Sequence, residues 1–185
     1  MSKPAKSDDV YQQFLATPEY KVAEIIQGRL ITHPRPASPH AKAAYTLGGK
    51  LLPLSDSDED PNGWVILPEP ELHLAQDILV PDLAGWRRKR MPEMPHVAAF
   101  ELAPDWICEV LSPSTAATDR ADKLPIYARH QIMHAWLVDP LAKTLEVFRL
   151  TQQQWLLVDT HRDRARVRAE PFETLELDLS KLWTR

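Results

Sequence analysis

Cysteine is almost missing from this chain of 185 residues, with Cys108 its only one. That excludes an intrachain disulfide and a cysteine-built zinc cluster. Glycine is scarce as well, five residues against seventeen prolines. Such a balance points to stiff loops and strand ends, not to a glycine-rich phosphate cradle. No G-x-x-x-x-G-K-[ST] or G-x-G-x-x-G string occurs, so nucleotide hydrolysis and dinucleotide binding lack their usual sites. Ser112 and Ser114 stand in SPST, not in the G-x-S-x-G elbow of a serine hydrolase. No apolar run approaches membrane-spanning length and MSKPAKSDDV has no signal-peptide core. A cytoplasmic protein with no membrane partner is expected. A strong charge of either sign is also lacking: the net charge is −4, which neither invites nor excludes a polyanion. Its distribution is uneven. Asp56, Asp58, Glu59 and Asp60 crowd one loop, and Arg87, Arg88, Lys89 and Arg90 crowd another.

What is present is ordinarily globular, 44% hydrophobic and 26% charged with six Trp, enough for one domain core. Residues 1–185 read as a single domain, with an N-terminal helix or arm over 1–18 and a C-terminal strand extension over 151–185. A short helix is expected at 8–16 and a hairpin from Tyr20 to Ile31 about Gln27-Gly28. Pro34, Pro36 and Pro39 mark an extended loop, after which Ser38 caps a helix of 39–52 with Pro39 at its first position. Strand text follows in GWVILP, ELHLAQ and ILVPDLAGW, a loop covers 87–104, and WICEVL (106–111) suits a strand buried on both faces. A helix from Asp119 to His130 precedes strands at AWLVD, TLEVFRL and QWLLVDT. The class is α+β, a central mixed β-sheet flanked by two or three helices.

Glu109 stands out because Trp106, Ile107, Cys108, Val110 and Leu111 make both faces of its strand apolar. A buried carboxylate without partners costs several kcal/mol, so a cation or strong donors should lie nearby. Asp82, set between Ile78–Pro81 and Leu83–Trp86, repeats the anomaly, and Pro81 favours a bulge or edge there. One such acid is ordinarily paired with an arginine or a turn. Two, on neighbouring strands, suit a hard cation such as Mg²⁺, which takes few protein oxygens and several waters. Lys123 shares a helical face with Asp119 and Tyr127. Placed in a first helical turn, with Pro125 tolerated for that reason, it could orient or deprotonate an attacking water. Its replacement by alanine is then expected to spare folding. His130 and His134 have i,i+4 spacing but fall across a helix end, which argues against zinc.

VPDLAGW, WICEVLSPST, DRADKLPIYAR and HAWLVDP, in that order and preceded by EIIQGRLITHPRPASPHA, resemble the Uma2 family of restriction-endonuclease-like proteins, a branch of the PD-(D/E)xK nuclease superfamily. The resemblance runs from about Tyr20 to Leu150. It implies a Mg²⁺ (or Mn²⁺) site and phosphodiester hydrolysis, with Asp82 and Glu109 as the acids and the Val110 backbone carbonyl as a further metal ligand. Leu111 stands where the superfamily pattern has lysine, and the family's lysine falls instead at Lys123. Gln131 stands where the family has glycine. Glu24 and His40 match polar positions of the family pattern, and Glu71 could reach the same cleft. Nucleic acid, DNA above all, is the implied partner, with Arg87, Arg88, Lys89 and Arg90 beside the cleft on its phosphates and a homodimer addressing two strands. Two other readings stay open: a non-catalytic nucleic-acid-binding or interaction module on a nuclease fold, and hydrolysis of another phosphoester.

Overall fold

The described residues, 8–34, 37–55 and 62–183 of this computed structural model, hold twelve strands, β1 to β12, three helices and two short 3₁₀ turns. Asp56, Asp58, Glu59, Asp60 and Pro36 lie outside them. Helix α1 (Asp8–Leu15) leads into the hairpin of β1 (Lys21–Ile26) and β2 (Arg29–Pro34). Gln27 and Gly28 both take positive φ, 52° and 76°, as a two-residue turn matching strand twist requires. Helix α2 spans Ser38–Leu51, and its N-cap is Ala37 with no side-chain cap. Ser38 is therefore already helical, and the expected serine cap is absent: Pro39, with its preset φ, starts the helix without it.

β3 (Trp64–Pro68), β6 (Leu83–Arg87), β7 (Trp106–Val110), β8 (His134–Asp139), β9 (Thr144–Thr151) and β10 (Gln154–Arg162) form a six-stranded sheet. Its order is β10-β9-β8-β7-β6-β3. Only the β7–β8 pair is parallel, so the sheet is mixed. β4 (Leu72–Leu74) and β5 (Asp77–Leu79) join the hairpin in a second, antiparallel sheet of order β2-β1-β5-β4. The string ILVPDLAGW is thus two strands in two sheets. The chain crosses from one sheet to the other at Val80-Pro81-Asp82, where proline has no N–H to continue a ladder.

Strand periodicity then sorts the core. Trp106, Cys108 and Val110 of β7 face one cluster with Leu47 and Leu51 of α2. Ile107 and Leu111 face the other, with the second sheet and the last helix. Glu109 shares the side of Ile107. The first cluster is closed by Phe172, Leu179 and Trp183, so the segment after 151 contributes core as well as β11 (Arg166–Val167) and β12 (Leu177–Asp178). Trp64, Trp106 and Trp136 meet Phe172 edge-on, with centroids 4.8, 4.9 and 5.4 Å away. Gly85 makes room for them: a Cβ there would stand 3.2 Å from both Trp64 and Trp106.

The last helix, α3, runs over 116–129 in three pieces: Ala116–Thr118, a π-helical turn Asp119–Lys123, and Leu124–Arg129. The expected start at Asp119 is thus three residues late, and Lys123 is not in the first turn. Pro125 is tolerated for another reason. In the π turn the Leu124 N–H already reaches back to the Asp119 carbonyl, so the ladder is rearranged where proline has nothing to donate. Gln131 closes the helix at φ 56°, a conformation glycine adopts more readily. Among the described residues no helix is long and apolar enough to cross a membrane.

Candidate functional site

The point where the chain changes sheets is also where the buried charges collect. Glu24 from β1, Glu109 from β7, and Asp119 and Lys123 from α3 are all buried. Each arrives by its element's own periodicity. Glu24 is on the inward side of the hairpin, Glu109 on the α3 side of β7, and Asp119 and Lys123 are one helical turn apart. Lys123 Nζ stands 2.8 Å from Glu109 Oε1, 2.9 Å from Glu24 Oε1 and 3.7 Å from Asp119 Oδ1. It also donates to the Val80 carbonyl at 3.4 Å. Tyr127 OH donates to Glu109 Oε1 at 2.6 Å, and the Val80 N–H to Glu24 Oε1 at 2.8 Å.

Asp82 sits just before β6, against the next strand: its Oδ2 accepts the Val110 N–H at 2.7 Å. His40, near the start of α2, places Nε2 3.2 Å from Asp82 Oδ1. Glu24, His40, Asp82, Glu109, Val110 and Lys123 all line one cavity of about 310 Å³. All five side chains expected at the site are therefore brought together, with the Val110 backbone beside them. Glu71 is not: it pairs with His73 at 2.6 Å, outside the cavity. Its neighbour Glu69 lines the wall instead.

Sequence reasoning missed other lining residues. His33 of β2 approaches Glu24 Oε2 at 3.6 Å, and its pairing with Val22, which puts it on Glu24's face of the hairpin, could have signalled it. Ser112 and Thr115, whose hydroxyls lie 3.0 Å apart, also line the cavity. SPST reads as punctuation, so nothing in the string marks them as part of a wall. His130 ends α3 and His134 opens β8, as boundary residues.

The basic run is not beside the cleft. Asp82 precedes β6 and Arg87 ends it, so roughly 16 Å of strand separates them. Arg87 lies over the Trp64 ring at 4.0 Å, and Arg90 pairs with Asp105 at 2.9 Å. None of the four lines the cavity.

Five acids, Glu24, Glu69, Asp82, Glu109 and Asp119, therefore line a cavity with one lysine. Burial works against every charge here, and the outcome differs by partner. Glu24 overcomes it: Lys123, His33 and the Val80 N–H hold its carboxyl down to about 2. Burial pushes Glu109 well up; Lys123 pulls against it, and Asp119, Asp82 and Glu24 push the same way as burial. Asp119 is raised for the same reason. Lys123 stays charged despite burial, because Glu109 and Glu24 raise it further. Both Lys123 and Glu109 shift upward, and the consistent reading is that Glu24 is the ion-pair partner while Glu109 favours its proton. His40 is raised too, burial being overcome by Asp82.

A consequence for stability follows. Folded Glu109 holds its proton more tightly than the unfolded chain does, so stability falls as pH rises from the ordinary glutamate range toward the raised value. In chelator at about pH 7, Glu109→Gln is expected to melt a few °C above wild type. The amide oxygen can still accept from Tyr127 and Lys123. The gain should vanish near pH 4, where an unfolded glutamate is itself protonated. Melting curves at both values check this, and a less stable variant at neutral pH would show Glu109 to be a net stabilising ion.

Asp82 and Glu109, with the Val110 carbonyl, could hold a hard cation. Among the described residues no group of three or more His, Cys, Asp or Glu side chains is placed to hold a metal ion. An ion that keeps much of its water fits that sparse oxygen set, as Mg²⁺ does. The surplus of carboxylates over cations is the feature such an ion would relieve.

The comparisons agree with this picture at the level of family and fold. A crystal structure described as that of a putative nuclease belonging to DUF820 from Anabaena variabilis ATCC 29413 superimposes with a TM-score of 0.75 at 24% identity. The match covers 94% of this chain and 96% of that one, and shows a shared fold. No curated protein matches the chain. The model of the Uma2 family, described as "Putative restriction endonuclease", matches residues 9–180. With nearly the whole described fold inside that match, the chain belongs to the Uma2 family.

Proposed function

We propose that this chain is a divalent-metal-dependent endonuclease that hydrolyses phosphodiester bonds in DNA, acting in the cytoplasm. The observation that carries the reading is the surplus of buried carboxylates around Lys123, at a cavity open to a substrate. Family membership points to a nuclease in general; the metal, DNA and the roles below are inferred from the site.

Asp82, Glu109 and the Val110 carbonyl would hold Mg²⁺ or Mn²⁺. When bound, the ion polarises the phosphate and lowers the pKa of the attacking water. Lys123 is placed to orient that water and offset the charge developing on the phosphoryl oxygens. Glu24 fixes the Lys123 ammonium, since its carboxylate remains ionised and points Oε1 at Nζ. His40 orients Asp82 through Oδ1, leaving Oδ2 on the Val110 N–H. A homodimer would let two such cavities address two strands.

The test is cleavage of plasmid and oligonucleotide DNA by the pure protein. Nicking or cutting in Mg²⁺ or Mn²⁺, abolished by EDTA, is expected. DNA binding without cleavage in any divalent ion would overturn the nuclease reading and leave a binding module on this fold. Arg87–Arg90 would serve only as a remote phosphate contact. If they do, neutralising all four should flatten the salt dependence of DNA affinity by up to about four phosphates' worth of slope. An unchanged slope removes them from the interface.

A further inference from the structure

Between β8 and β9 the chain turns through residues 140–143, and after β10 it turns again at Asp163 and Arg164. Both turns carry positive charge into one cleft. Lys143, Arg164, Lys181 of the last 3₁₀ turn and Lys42 of α2 line a cavity of about 730 Å³, where Asp163 is the one acid on the wall. That is a local excess of three positive charges on a chain whose net charge is −4. Lys42 is tied down, its ammonium donating to the Trp183 carbonyl at 2.6 Å. The other three are exposed, and among the described residues none of them pairs with a carboxylate. Asp163 approaches Arg162 instead, at 4.0 Å. Asp178, three residues before Lys181, accepts from the N–H and hydroxyl of Ser180 at 3.0 and 2.6 Å. A lone surface lysine is merely solvated. Cations brought from separate segments into one concavity repel each other and focus a positive field there, which an anion would relieve.

The place of the cleft says which anion it suits. Val110, at the end of β7, lines the first cavity. Along that edge of the six-stranded sheet Val110 is level with Val138, Asp139 with Thr144, and Thr144 with Arg162. Lys143 precedes Thr144 and Asp163 follows Arg162, so the cleft lies at the same edge. It is two to three strands from β7, or roughly 10–15 Å. Helix α2 bridges the two, with His40 at the first cavity and Lys42 at this one. A nucleic acid strand carries one phosphate per about 3.4 Å of axis, so a backbone laid along this edge would bring roughly its third or fourth phosphate to the cleft. The basic run 87–90 closes β6 at the opposite edge.

We propose that this basic cleft binds the phosphate backbone of DNA whose scissile phosphodiester lies at Asp82 and Glu109. This rests on the nuclease reading above and adds to it an anchor that holds charge without reading bases.

The test is the affinity of the full chain for a fluorescent DNA duplex in EDTA, measured against salt. Replacing Lys143→Gln, Arg164→Gln and Lys181→Gln together should lower the slope of log affinity against log salt by about 2.7, at about 0.9 per phosphate. Between 50 and 200 mM salt, wild type should then lose about 40-fold more affinity than this variant. The charge-keeping set Lys143→Arg, Arg164→Lys and Lys181→Arg should retain the wild-type slope. All three side chains are exposed, so both variants should melt with wild type. A dinucleotide, too short to reach from one cavity to the other, should be turned over in Mg²⁺ equally by wild type and the glutamine variant. An unchanged slope, no duplex binding by wild type, or slower dinucleotide turnover in the glutamine variant overturns the proposal. So does binding of free pyrophosphate that the glutamine variant loses while its duplex slope stays, which would make the cleft a small-anion site. A lowered slope without plasmid cleavage in Mg²⁺ or Mn²⁺ would overturn the nuclease reading and leave the cleft standing. Plasmid cleavage with an unchanged slope would do the reverse.

Discussion

Lys123→Ala is expected to lose both turnover and stability, by on the order of 10²–10³-fold in rate and roughly 6–20 °C in melting temperature. The rate loss follows from removing the one lysine in a cavity lined by five acids. The stability loss follows from burial. Lys123 touches Glu24 and Glu109 within 2.9 Å and is itself almost fully enclosed. Removing one partner from a buried ion pair leaves an uncompensated charge, worth about 3–5 kcal/mol. For a chain of this length each kcal/mol corresponds to about 2–4 °C. The sequence-based expectation that folding would be spared assumed a lysine near a helix start, and the structure corrects it. A paired variant separates the two effects. Lys123→Met with Glu24→Gln removes cation and counter-charge together, so melting should recover substantially while turnover stays lost. Recovery of turnover would deny Lys123 a part in the chemistry. An unchanged melting temperature in Lys123→Ala would mean that the buried pairing is energetically idle.

Asp82→Asn should do the opposite: little change in stability, near-complete loss of turnover. The amide oxygen can still accept the Val110 N–H, and one negative charge leaves a site with a surplus of them. What goes is an anionic ligand. Altering the outer partners of metal ligands costs about 10–100-fold in affinity or activity, and loss of a ligand itself should exceed that. Raising Mg²⁺ should recover little of the rate. Turnover of Asp82→Asn within a few-fold of wild type would remove Asp82 from the machinery.

How much of this could be read before the structure depended on the kind of signal. The strands at 106–111 and 134–139, and the hairpin about Gln27-Gly28, follow from runs and turn chemistry that need only neighbours in sequence. Glu109 and Asp82 were legible because a carboxylate in apolar text is anomalous wherever the strand goes. Glu24 entered by family likeness, and Lys123 by the helical face it shares with Asp119 and Tyr127. Their 2.9 Å contact depends on the hairpin folding over α3, across a hundred residues of chain. The division of ILVPDLAGW between two sheets was hidden for the same reason. Proline announced an interruption, but which sheet each half joins is a tertiary matter. The start of α3 was misplaced because a π turn alters the hydrogen-bond count without altering the hydrophobic pattern.

The central claim is that Asp82 and Glu109 hold one hard divalent cation, and calorimetric titration of the metal-free protein with Mn²⁺ tests it most directly. One ion should bind per chain in the wild type, with protons released because Glu109 must give up the one that burial lets it keep. Asp82→Asn should lose that binding. Equal Mn²⁺ affinity in both proteins, or none in either, would contradict the account.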